Sequence, residues 1–81
     1  MLYIAFMDMK QFIKSFERSD EGRKELELFA ERVGSSVGYL RQIAGNHRKP
    51  SAEFTIKLEK ESGGKLRRQD LRPDYWPNGK A

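Results

Sequence analysis

The sequence predicts one all-α domain of four to five short helices, and three observations carry that prediction. Four segments between Asp8 and Gly64 place apolar residues at helical spacing, each opened by a capping residue and closed by a breaker. Strand patterns are weak everywhere, and only Lys65 to Arg68 reads as one short extended piece. With 81 residues and no cysteine, the chain can bury only a small core and has no disulfide to staple it. Such a chain builds a tight helical bundle or a domain completed by dimerisation.

The elements follow in order. From Asp8 to Arg18, the residues Met9, Phe12, Ile13 and Phe16 form one helical stripe, with Asp8 as N-cap. Ser19-Asp20-Glu21-Gly22 reads as a breaker. Its first three residues also cap the next helix and put acids in the first turn, where the helix dipole favours them. That second helix carries Leu26, Phe29, Ala30 and Val33 on one face and ends at Gly34. After a Ser35-Ser36 turn, a third helix presents Val37, Leu40 and Ile43 and stops at Gly45-Asn46. The segment Asn46-His47-Arg48-Lys49-Pro50 is a basic loop. Ser51 caps a fourth helix holding Ala52, Phe54, Thr55, Ile56 and Leu58, which Gly63-Gly64 terminates.

The two ends each admit two readings. The apolar run Leu2 to Met7, within an extension spanning 1–7, is either without fixed structure or a segment that packs on a dimer mate. In the tail, 71–81, Leu71, Tyr75 and Trp76 form either a lid on the first or fourth helix or a dimer contact. Asp70 and Asp74 fit cap or salt-bridge roles. No linker or repeat divides the chain, so 1–81 reads as a single domain.

Composition removes several classes of function. No cysteine means no thiol nucleophile, no cysteine-ligated zinc and no iron–sulfur cluster, and one histidine cannot make a two-histidine metal site. Charged residues at 35% and a six-residue apolar run lacking a basic lead argue against a membrane span or signal peptide, so a cytoplasmic location is expected. Glu25, Glu27, Glu31, Glu59 and Glu61 stand at helical spacing among Lys and Arg, which makes them solvated faces and not catalytic pairs. Neither a Gly-x-Ser-x-Gly turn nor a phosphate loop is present, so no enzyme, cofactor or metal is expected.

What remains is the spacing of the second and third helices. Two helices that cross steeply at close range need a small residue mid-way along the first, and Ala30 supplies it. The tight turn needs a left-handed backbone, and Gly34 sits four residues on. Leu40 and Ile43 then face Phe29 and Val33. The unit Leu26 to Gly45 reads as a helix-turn-helix, against the plainer reading of two packed bundle helices; Ser35 stands where an apolar residue is usual. Charge supports the first reading. Residues 1–35 carry six basic and seven acidic side chains, whereas residues 36–81 carry ten and five, so the net +4 arises from the third helix onward.

With the third helix in a major groove of double-stranded DNA, Ser36, Val37, Gly38, Arg41 and Gln42 are expected to meet base edges. Arg41 suits guanine O6 and N7, Gln42 suits adenine N6 and N7, and Val37 suits a thymine methyl. Gly38 is costly in a helix, and close approach of backbone to DNA explains it, as does a position in the first turn. Tyr39, Asn46, His47, Arg48 and Lys49 are expected to flank the groove and meet phosphates. A plain exposed loop histidine is the other reading of His47.

From Phe12 to Pro77 the chain resembles the Cro-type regulators of phages and prophages, in particular the YdaS-like group of the lambda-repressor-like helix-turn-helix superfamily. The matching stretches are Ser36 to Ile43, Asn46 to Glu53, Ile56 to Gly64, and Asp70-Leu71-Arg72-Pro73-Asp74. The Gly-Gly pair followed by Asp-Leu-Arg-Pro-Asp is the most specific of these. The resemblance implies a compact, mostly helical DNA-binding domain that represses transcription from a phage-type operator. Action as a homodimer, at least on DNA, is expected, with two recognition helices on a two-fold site. Some members act as antitoxins or toxins of two-gene modules, which implies the alternative of a protein-binding antitoxin or anti-repressor. The chain departs from the group in its acidic stretch Ser19 to Glu27, where Leu26 stands at a position often held by Gln.

Overall fold

The computed structural model describes residues 6–77. Among them are five helices and no strand: α1 (Met9–Phe16), α2 (Asp20–Arg32), α3 (Val37–Ala44), α4 (Ala52–Glu61) and α5 (Arg68–Leu71). The expected all-α fold is what forms. Lys65 to Arg68 makes no strand, although Arg67 is extended at φ −103°, ψ 140°.

Each of the four longer helices starts where the sequence places a short polar side chain. Asp8 accepts from the Gln11 N–H (2.8 Å) and the Gln11 side-chain oxygen accepts from the Asp8 N–H (3.1 Å), a reciprocal capping box. Ser19, Ser36 and Ser51 accept from Gly22, Tyr39 and Phe54 respectively, at 3.0, 3.2 and 3.1 Å. The ends of α2, α3 and α4 share one device. Gly34, Asn46 and Gly63 take left-handed φ of 72°, 61° and 66°. Behind them Ser35 N–H reaches Ala30 O (2.8 Å), His47 N–H reaches Gln42 O (2.9 Å) and Gly64 N–H reaches Glu59 O (3.0 Å), three Schellman closures.

Gly22 corrects one expectation. It lies inside α2 and breaks nothing. A Cβ there would fall 2.1 Å from the Phe16 carbonyl oxygen, so the first turn of α2 approaches the end of α1 closer than any side chain allows. That approach replaces a linker with the two-residue corner Glu17–Arg18 plus the cap.

The core joins Met9, Phe12 and Ile13 of α1 to Leu26, Phe29, Ala30 and Val33 of α2, Leu40 and Ile43 of α3, Leu58 of α4, and Leu66. Phe12 and Phe29 pack with centroids 4.9 Å apart, and Phe16 closes the aromatic cluster. Ala30 is fully inside, as a helix crossing at that point requires. Ser62, buried at the end of α4, accepts from the Leu66 N–H (3.0 Å) and donates to Glu59 O (3.0 Å), which turns the chain after Gly64.

The tail packs as a lid in part. Trp76 is only 7% exposed and Leu71 is half-buried, but Tyr75 is exposed, so that member of the expected trio lies outside the core. Arg72 holds the lid: it donates to Pro50 O (2.6 Å), pairs with Asp74 (2.7 Å) and lies over the Tyr75 ring at 4.0 Å. Glu59 receives both the Arg68 backbone N–H (3.0 Å) and its guanidinium (2.8 Å), which fixes the start of α5. Burial pushes the Glu59 carboxyl up, but the bonds and charge of Arg68 outweigh it and leave it lowered. At the other end, residues 1–5 of the N-terminal run lie outside the described residues. Phe6 lies beneath the Arg67 guanidinium at 4.0 Å, and Met7 N–H donates to Lys65 O (2.9 Å).

The hydrogen bond from Arg72 holds the Asp74 carboxyl down to about 2, against desolvation, which raises it. A depressed folded value means the clamp is complete above the ordinary 3.8 and is lost as pH falls through about 2. Acrylamide quenching of Trp76, the single tryptophan, is expected to stay low at pH 4 and to rise toward pH 2. Asp74→Asn is expected to loosen the lid already at pH 7 and to abolish that acid step; an unchanged acid profile in the variant would assign the step to another group.

Candidate nucleic-acid interface

The buried side of α3 is Leu40 and Ile43, with Val37 and Ala44 half-buried beside them. A helix of period 3.6 then turns Gly38, Arg41, Gln42 and Gly45 outward, and all four are exposed. Three of the five residues expected at base edges thus share one open face. Ser36 stands at its N-terminal edge, exposed, with its oxygen accepting from Tyr39 N–H and its O–H still able to donate. Val37 divides its surface between the core and the outside, so only part of the side chain is available to a base methyl.

The five flanking residues separate as well. Arg48 and Lys49 are exposed, and no ion pair engages either among the described residues. Asn46 and His47 are exposed but their backbones close α3, so their position is fixed by the helix end. Tyr39 is half-buried and its ring meets Phe54 edge-on at 5.7 Å, which makes it a packing residue first.

Two basic residues join this face that sequence reasoning missed. Lys10 and Lys14, exposed on α1, line a groove of about 250 Å³ together with Ile13, Glu17, Arg41, Ala44 and Gly45. Their spacing of four placed both on one side of α1, but nothing local said that this side borders α3. On the other flank, Leu28 is 52% exposed and lines a second groove with Lys24, Glu27, Glu31, Ser35, Ser36 and Val37. That flank carries the acidic stretch, so the two sides of α3 differ in charge.

Gly38 has no structural reason inside the chain. A Cβ there would meet only Ser36 Oγ at 3.9 Å. Gly38→Ala is therefore expected to keep or raise the melting temperature, since alanine is the better helix former by up to about 1 kcal/mol. The same variant is expected to bind DNA more weakly if a base edge or phosphate comes against the bare backbone. Equal or tighter DNA binding would remove that role.

Fold and face together define a small all-helical domain built around a helix-turn-helix, with one open, basic-flanked helix. No family model matches the chain, and no solved structure does. Among curated proteins, a prophage transcriptional regulatory protein of Escherichia coli (strain K12) is 35% identical over 69 residues, covering 85% of this chain and 97% of the relative. The chain belongs to the family of that prophage regulatory protein. No helix among the described residues is long and apolar enough to cross a membrane.

Proposed function

We propose that the chain is a sequence-specific transcriptional regulator, a repressor of the Cro type and YdaS-like group, that sets α3 into the major groove of an operator. The single observation that carries this reading is the outward face of Gly38, Arg41 and Gln42. Arg48 and Lys49 follow α3 in the chain, and Lys10 and Lys14 border Arg41 in the adjoining groove. Arg41 and Gln42 supply the two side-chain types that read purines bidentately, with Ser36, Val37 and Gly38 completing the contact. Arg48, Lys49, His47, Asn46 and the Tyr39 hydroxyl meet phosphates and fix the register. The relative's name as a transcriptional regulator supports the same reading. The protein acts as a homodimer on a two-fold site in this reading, with two copies of α3 about 34 Å apart.

Selection of duplexes from a randomised pool tests it. The expected result is an inverted repeat with half-sites one helical turn apart, bound more weakly as salt rises, with a log–log slope near −0.9 per phosphate contacted. No enrichment, or binding flat in salt, would favour a protein-binding module of the antitoxin or anti-repressor kind. One observation gives that second reading its surface: Leu28 stands exposed between Glu27 and Glu31 beside the turn into α3.

A further inference from the structure

The arginine on the outward face of α3 is held from behind. Arg41 Nη2 donates to Glu17 Oε2 in an ion pair that spans 24 positions of sequence. Of the six ion pairs among the described residues, it is the one that engages α3. Glu17 is itself fixed. It is the C-cap of α1, its N–H donates to Lys14 O (3.1 Å), and its carbonyl accepts from Arg23 Nη2 (3.4 Å). Its side chain is 29% exposed against 53% for Arg41, so the acid sits deeper and the guanidinium stands nearer the solvent.

That order has a chemical consequence. A guanidinium carries five N–H donors in one rigid plane, and a carboxylate bonded to one of them fixes the plane while leaving the other donors open. An arginine so held meets guanine O6 and N7 with less rotamer freedom to lose. An unheld arginine turns as readily to any phosphate. The carboxylate also adds a negative charge beside the DNA, which repels phosphate in every register and is offset only where the guanine contact forms.

We propose that Glu17 is a positioning residue for Arg41 and a determinant of sequence specificity. It aims the guanidinium at one guanine and lowers binding to all other DNA. The inference rests on the reading of α3 as the recognition helix.

The test uses the full chain, the duplex selected with the wild-type protein, a panel carrying each single base-pair change, and an unrelated duplex. Glu17→Gln keeps the size of the side chain and removes its charge. It is expected to reduce the preference for guanine at the pair read by Arg41 by about tenfold, to leave the other pairs unchanged, and to raise binding to the unrelated duplex severalfold. In an Arg41→Ala background the same change is expected to alter no base preference. An unchanged base profile in Glu17→Gln overturns the proposal, and so does an equal change with and without Arg41. If Arg41→Ala itself relaxes no base pair, base reading passes to Gln42 and Ser36 and this inference is overturned; if no duplex is selected, the reading of α3 fails and this inference with it. If Arg41→Ala relaxes one pair and Glu17→Gln relaxes none, only the role of Glu17 fails.

Discussion

Phe29→Ala is expected to remove a large share of the stability of the domain. Phe29 is 1% exposed, packs on Phe12 at 4.9 Å and lies 6.5 Å from Phe16. Truncating a buried phenylalanine costs about 3–5 kcal/mol. A domain of this length holds only on the order of 4–12 kcal/mol. Phe29 also sits beside the buried Ala30, and its ring partners belong to α1, so the loss falls on the contact between α1 and α2. Leu28→Ala, one residue away and exposed, is expected to change stability by less than about 0.5 kcal/mol. Urea unfolding followed by circular dichroism separates the two. A loss under about 1 kcal/mol for Phe29→Ala would show that the aromatic cluster is not the centre of the core.

Arg41→Ala is expected to have the largest effect on recognition. Loss of a bidentate contact to guanine costs about 1–3 kcal/mol at one base pair and relaxes specificity there alone. Lys49→Ala is expected to weaken binding to all sequences alike and to reduce the salt slope by about 1, as removal of a phosphate contact does. Affinities for the selected duplex and for random DNA, taken across a salt series, distinguish the two patterns. Equal losses on both duplexes for Arg41→Ala would place it among the phosphate contacts and move base reading to Gln42 and Ser36.

How far the interface was legible follows from the range of each interaction. The outward face Gly38, Arg41 and Gln42 comes directly from the helical period once Leu40 and Ile43 are assigned to the core. Asn46 as the left-handed residue after α3 was less visible, because Gly45 stands beside it and glycine is the usual choice; Gly45 keeps φ −87°. Tyr39 looked like a flanking polar residue, and its packing on Phe54 depends on where α4 returns. Lys10 and Lys14 lie 27 and 23 positions before the start of α3, and only the docking of α1 against α3 brings them to its edge.

Residue type and spacing alone account for the four longer helices, their serine and aspartate caps, the glycine ends of α2 and α4, and the apolar stripes of α1, α2 and α3 that enter the core. These rest on contacts within one or two turns of chain, so residue type and spacing are sufficient causes. Tertiary structure alone decided the rest. The start of α5 on Glu59, the hold of Arg72 on Pro50 across 22 positions and the pairing of Glu17 with Arg41 across 24 all join groups distant in sequence. Each partner is a common surface residue with nothing unusual in its neighbours. Its role arises only when packing of the apolar faces sets the angle between helices, and that angle is a property of the whole core.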